Sequence, residues 1–116
     1  MFDFNEYQRQ FPNDGDKREN ADSAVRHLLY RHRSVPHLVC ADGFIMSVQA
    51  SEMHYCTPRV TGSPAYSEVE VGFPSERQEE LIPYAEEARK PTETVYGYTP
   101  VGIINAIVEK HGGLKV

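Results

Sequence analysis

The stretch His54-Tyr55-Cys56-Thr57-Pro58-Arg59 places an imidazole, a phenol, a thiol and a guanidinium within six residues. Two chemistries follow from that set. A cysteine close to a base or a positive charge becomes a nucleophile, because the thiolate is the reactive form and His54 or Arg59 would favour it at Cys56. With His37 and Cys40 added, His54 and Cys56 complete the nitrogen and sulfur donors of a tetrahedral zinc site. The spacing argues against both. H-x2-C-x13-H-x-C corresponds to no common finger, and an extended chain would hold the two thiols over about 30 Å apart unless it turns sharply near Ser51-Glu52. On an extended segment His54 and Cys56 share a face but stand roughly 6–7 Å apart, too far for a direct hydrogen bond. No Gly-rich oxyanion loop accompanies them. The plainer reading makes Cys40 a small buried residue and HYCTPR a corner that Pro58 ends and from which Arg59 reaches outward. No catalytic residue, metal ion or cofactor is expected.

Charge offers a second candidate. Residues 1–34 hold six acids and six bases, residues 35–67 two and one, residues 94–116 one and two, but residues 68–93 hold eight acids and three bases. The net charge of −5 therefore arises in one segment. Its carboxylates lack the D-x-D-G spacing of a calcium loop and read either as a solvated face or as a continuous negative surface for a basic partner, built from Glu68, Glu70, Glu76, Glu79, Glu80, Glu86 and Glu87. Such a surface repels phosphates, so direct binding of nucleic acid is not expected. The tyrosines Tyr55, Tyr66, Tyr84, Tyr96 and Tyr98 read as an aromatic sheet edge. The alternative is that Arg59 with nearby tyrosines anchors a partner protein, since Tyr and Arg are enriched at interfaces, or forms a small-ligand site in which Arg59 grips a phosphate while Tyr55 and Tyr66 stack a nucleotide base. Gly97 between Tyr96 and Tyr98 marks a place where another chain or a ligand comes close to the backbone.

The elements that must position these residues are legible along the chain. Its 116 residues, 40% hydrophobic and 25% charged, suit one globular domain. Residues 1–19 read as a flexible or loosely docked segment with aromatics available to dock on the core, and residues 20–116 as a single α+β domain. Asp22 suits the N-cap of a helix over 21–33, with Ala21, Ala24, Val25, Leu28 and Leu29 at helical spacing and a partly basic face opposite. That face offers the acids of 68–93 a partner within the monomer or across a homodimer. Asp42-Gly43 between two runs of strand formers predicts a β-hairpin with a two-residue turn, in which Ala41 faces Phe44, Val39 faces Met46, His37 faces Val48 and Val35 faces Ala50 on the core side. Leu38, Cys40 and Ile45 then share the other side with Ser47 and Gln49. YSEVEVGF predicts a third strand with Val69, Val71 and Phe73 inward and Glu68 and Glu70 outward. An acidic helix capped at Ser75 and interrupted or ended near Pro83 follows, then a fourth strand over ETVYGYT, then a helix capped by Thr99 with Pro100 first and Ile103, Ile104, Ile107 and Val108 as its apolar stripe. The expected fold is an antiparallel sheet of about four strands with an N-terminal, an acidic middle and a C-terminal helix.

From Val35 onward the phrases CADGF, SVQAS, HYCTPR, EVEVGFPSE, TVYGYTP and IVEKHGG resemble a recurrent family of small proteins carried by bacteriophages and prophages of proteobacteria. The resemblance covers residues 35–113 and brings no catalytic residues with it. It implies a phage setting, in which small early proteins bind and redirect host machinery, including defence systems of the CRISPR type. No apolar run reaches the roughly 20 residues that span a bilayer, and the polar, acidic N-terminus lacks the pattern of a secretory signal. The expectation is therefore a non-enzymatic protein of the bacterial host cytoplasm that binds and inhibits a host protein with a basic surface, as a monomer or homodimer. A nucleotide-binding protein and a thiol- or zinc-dependent enzyme are the two alternatives.

Overall fold

The computed structural model describes residues 1–10 and 35–115. The helix expected over 21–33, its basic face and residues 11–19 lie outside the described residues. Strands β1 (Leu38–Val39), β2 (Ile45–Gln49), β3 (Glu68–Gly72) and β4 (Val95–Pro100) form one antiparallel sheet in the order β1-β2-β3-β4. Helix α1 (Phe4–Gln8) precedes the sheet and α2 (Val101–Lys110) follows it, so the chain has an α+β fold.

The hairpin forms one residue out of the expected register. Gly43 adopts φ +96° and the loop is three residues long, Ala41 to Gly43, with the Gly43 N–H bonded to the Cys40 carbonyl and the Cys40 N–H to the Phe44 carbonyl. This is the three-residue alternative to the two-residue turn, with glycine supplying the left-handed position. Leu38 therefore pairs with Met46 and Val39 with Ile45. A slip of one residue exchanges the faces of a strand. Leu38 and Cys40 consequently join Phe44, Met46, Val48 and Ala50 in the core, while His37 and Ala41 are exposed and Val39 half-buried. The second strand of the hairpin faces as expected, because Phe44 and its alternate neighbours keep their side whichever partner lies opposite.

β3 alternates as its sequence reads. Val69 and Val71 are fully buried and Glu68 and Glu70 half-buried on the other face. Phe73 does not continue the pattern: it takes φ +48°, ends the strand, and leaves the inward place to Pro74 while its own ring is 61% exposed. The acidic middle helix is also shorter than expected, a six-residue 3-10 helix over Glu79–Tyr84. Pro83 lacks the N–H of a longer ladder and disfavours helical backbone at Ile82. Beyond it the Glu86 N–H bonds the Val95 carbonyl, so the chain pairs with β4 instead of coiling further.

α2 has Pro100 as its N-cap residue, and Thr99 Oγ1 donates to the Tyr96 carbonyl rather than capping the helix. Its buried Ile104, Ile107 and Val108 meet Phe4, Leu38, Met46, Val69, Val71, Leu81 and Tyr96 in one core, with Ile103 at the margin. α1 is tied to that core through polar bonds as well as Phe4. The Phe4 N–H donates to Asn105 Oδ1, and the Asn5 side chain makes a reciprocal pair of bonds with the Tyr66 backbone. Both edges of the sheet are covered by the chain itself. The C-terminal residues Gly113–Lys115 bond Val39 and Ala41 beside β1, and Ala85–Glu86 pair along β4. Edges closed in this way give no template for strand addition.

Candidate functional site

Residues 51–61 form a corner laid on β3 and β4. Its inner half is fastened by Ser51, whose Oγ accepts the Met53 N–H and lies 2.6 Å from His54 Nδ1. The Cys56 thiol, 1% exposed, donates toward the Ser51 and Pro58 carbonyls at 3.1 and 3.4 Å. Burial pushes this thiol up from its ordinary pKa, more than the Ser51 contact and Arg59 draw it down. A protonated thiol aimed at backbone carbonyls is a packed side chain, and the nucleophile reading gains nothing from it. Thr57 pairs with Glu68 through backbone bonds, and its hydroxyl donates to Glu68 Oε1 at 2.7 Å.

The outer half of the corner turns on Tyr55. Its N–H donates to Glu70 Oε2 at 2.8 Å and its carbonyl accepts the Tyr98 N–H at 3.0 Å. Tyr98 stands in the left-handed region, φ +49°, where β4 shifts register against β3 between the Val69 and Val71 positions. Such a bulge re-aims a side chain, and a bulky residue with positive φ is uncommon. A β-carbon on Gly97 would lie 3.1 Å from Tyr55 Cβ, so glycine is what lets the corner rest on the strand. The close approach read from Gly97 is thus made by the chain's own Tyr55. The Tyr55 and Tyr98 rings lie 5.9 Å apart, and the Arg59 guanidinium lies 5.7 Å from the Tyr55 ring centre while donating to the Glu52 carbonyl. Met53, Tyr55, Val60 and Tyr98 are all exposed.

Of the three residues expected to grip a nucleotide, Tyr55 and Arg59 come together and Tyr66 does not. Tyr66 is buried, its hydroxyl donating to the Val60 carbonyl and accepting the Ser63 N–H, so it holds the corner from inside. Tyr98 adds a second exposed ring beside Tyr55, and Met53 and Val60 are exposed in the same corner; the sequence places Tyr98 only within the aromatic set and singles out neither Met53 nor Val60. Only the glycine before Tyr98 signalled that a contact falls there.

The zinc candidates are dispersed. Cys40 lies in the core in a bridge with Leu114, its thiol pushed up by burial, and His37 is exposed at the edge. Among the described residues no three His, Cys, Asp or Glu side chains gather as metal ligands would.

None of the seven carboxylates of the acidic segment is buried. Glu79 pairs with Arg77 at 2.6 Å, Glu80 with Lys110 at 2.7 Å and Glu87 with Arg89 at 3.0 Å, and the hydrogen bond from each cation holds these carboxyls below their usual range. Glu68 and Glu70 accept from Thr57 and Tyr55, which are neutral donors. Glu86 is exposed, and Glu76 lies 3.9 Å from His111 Nε2.

A second polar cluster, also missed in the sequence, joins the hairpin loop to the end of α2. His111 is buried and stacks on Phe44, with ring centres 4.2 Å apart and planes within 9°. Its Nδ1 lies 2.6 Å from Asp42 Oδ2 and its Nε2 3.2 Å from Oε1 of the buried Gln78. Asp42 also accepts the Phe44 N–H, and this bond first and His111 second hold its carboxyl below the usual range.

Comparison with protein-family models, with curated proteins and with solved structures found no match. No helix among the described residues is long and apolar enough to cross a membrane.

Proposed function

We propose that the protein acts by binding rather than by chemistry, and that the acidic segment meets a basic surface on a host protein. The observation that carries this reading is that residues 68–93 hold eight acids against three bases while all seven candidate carboxylates reach the surface. The local pairs with Arg77 and Arg89 redistribute that charge without cancelling it, since both cations are already counted among the three, and Lys110, from outside the segment, offsets one carboxylate at Glu80. Exposed pairs of this kind contribute little, so a partner's Lys or Arg displaces them at little cost. The resemblance to phage and prophage proteins supports a partner in the bacterial cytoplasm, and a groove built to hold nucleic acid, as in a defence complex of the CRISPR type, has the complementary charge. The buried thiols support a protein that is not a thiol enzyme.

The test starts with capture of partners from host lysate and continues with titration of the purified partner. Reversal to Lys at Glu79, Glu80, Glu86 and Glu87 is expected to weaken binding at least about tenfold while circular dichroism and thermal unfolding stay those of the wild type. Unchanged affinity removes the acidic surface from the account.

A further inference from the structure

Seven large apolar side chains are exposed among the described residues, and Met53, Tyr55 and Val60 stand within one short stretch of the corner, with Tyr98 packed against Tyr55. Tyr, Met and Arg are the residue types enriched in protein interfaces. The charges around this patch have both signs. Arg59 makes one hydrogen bond, to the Glu52 carbonyl, and lies over the Tyr55 ring. Glu70 and Glu68 take neutral donors from Tyr55 and Thr57, and no ion pair among the described residues joins either of them to Arg59 or to another cation.

A patch with an aromatic centre, an unpaired cation and unpaired carboxylates is self-complementary. An isologous two-fold contact centred on Tyr55 would let the exposed rings cover each other and offer Arg59 of one copy the carboxylates of the other, since both signs of charge adjoin Tyr55 in each copy. A partner of one sign would satisfy only half of those charges. Association through a sheet edge is a poorer route, because Leu114–Lys115 cover the β1 side and Ala85–Glu86 the β4 side.

We infer that the protein forms a two-fold homodimer through Met53, Tyr55, Val60 and Tyr98, with Arg59 of each copy facing Glu68 and Glu70 of the other. Four apolar side chains are few beside the roughly 20–30 residues a side of a standard interface, so a weak dimer, dissociating at roughly micromolar concentrations, is expected. The inference shares Glu68 and Glu70 with the acidic-surface reading but uses none of Glu79, Glu80, Glu86 and Glu87, whose reversal tests that reading, and its own test requires no host partner, so the two can fail separately.

Sedimentation equilibrium from about 5 to 500 µM brackets that range. The wild type is expected to rise from its 13.2 kDa monomer mass toward twice that value. Tyr98→Asn removes the exposed ring with a residue that tolerates the left-handed backbone, and Arg59→Glu sets like charges against each other across the axis. Each is expected to weaken the dimer at least about tenfold, with an unchanged thermal unfolding profile for Tyr98→Asn. A wild type that stays monomeric throughout, including one that uses Tyr98 to bind a foreign protein, overturns the inference. So does a dimer whose dissociation constant is the same in both variants.

Discussion

The hairpin loop at Ala41–Gly43 and the corner at 51–61 are both irregular segments fastened by side chains, and they finish differently. At the hairpin, Asp42, Gln78 and His111 find one another, Phe44 covers the imidazole, and the cluster is closed within the monomer. At the corner, Ser51, Cys56 and Tyr66 satisfy the inner half, but Met53, Tyr55, Val60 and Tyr98 remain outside. The first segment joins the two ends of the domain. The second presents a surface. A dense set of chemically capable residues is thus a poor guide to reactivity, since HYCTPR directs its thiol inward and its aromatic and basic groups outward.

Removing His111 should break the comparison most strongly. His111→Ala deletes a buried ring stacked on Phe44 and leaves Gln78 buried beside a void, and about 2–4 kcal/mol of stability is expected to go, measured by chemical denaturation. A loss below about 0.5 kcal/mol, the size of an ordinary surface substitution, would show that the cluster contributes no more than the exposed loop around it.

Gly97→Val comes next and acts on the corner. The new β-carbon meets Tyr55 Cβ at 3.1 Å, so Tyr55 must lift from β4, at an expected cost of about 1–3 kcal/mol. The same shift should raise the rate at which an alkylating reagent reaches Cys56. A variant with wild-type stability and a still-protected thiol would mean that the corner does not rest on Gly97.

The smallest effect expected is one of pH at the hairpin. The Asp42 carboxyl is held below its unfolded value, so its bonds to the Phe44 N–H and to His111 favour the fold at pH values above the ordinary carboxylate range. That contribution is lost as pH falls through the folded-state value, in the region below about pH 4. Asp42→Asn should therefore flatten the acid limb of a stability–pH profile relative to wild type, and parallel limbs would contradict the assignment.

Much of the fold was legible because hydrophobic alternation survives local error. Val69 and Val71, Met46 and Val48, and the stripe of α2 were placed by periodicity alone. The hairpin register was not legible, since Asp42-Gly43 suits a two-residue and a three-residue loop alike and only tertiary packing selects between them. That choice moved Leu38 and Cys40 into the core. The alternation that placed Val71 gave no warning at Phe73, where a left-handed residue ends the strand, while the acidic helix does end near Pro83 as that proline implies, but as a 3-10 helix that starts only at Glu79. At the candidate site, Tyr55 and Arg59 were readable as interface residues from their types. The contacts of Tyr98 and His111 were not, because their partners come from segments more than thirty residues away in the chain, which no local pattern encodes.

The proposed action of this protein is binding through its acidic surface. Its most direct test is the affinity for the captured partner measured across a series of salt concentrations. Affinity is expected to fall steadily with added salt in the wild type, and the slope to flatten in the variant with Glu79, Glu80, Glu86 and Glu87 reversed. A wild-type affinity indifferent to salt would contradict it.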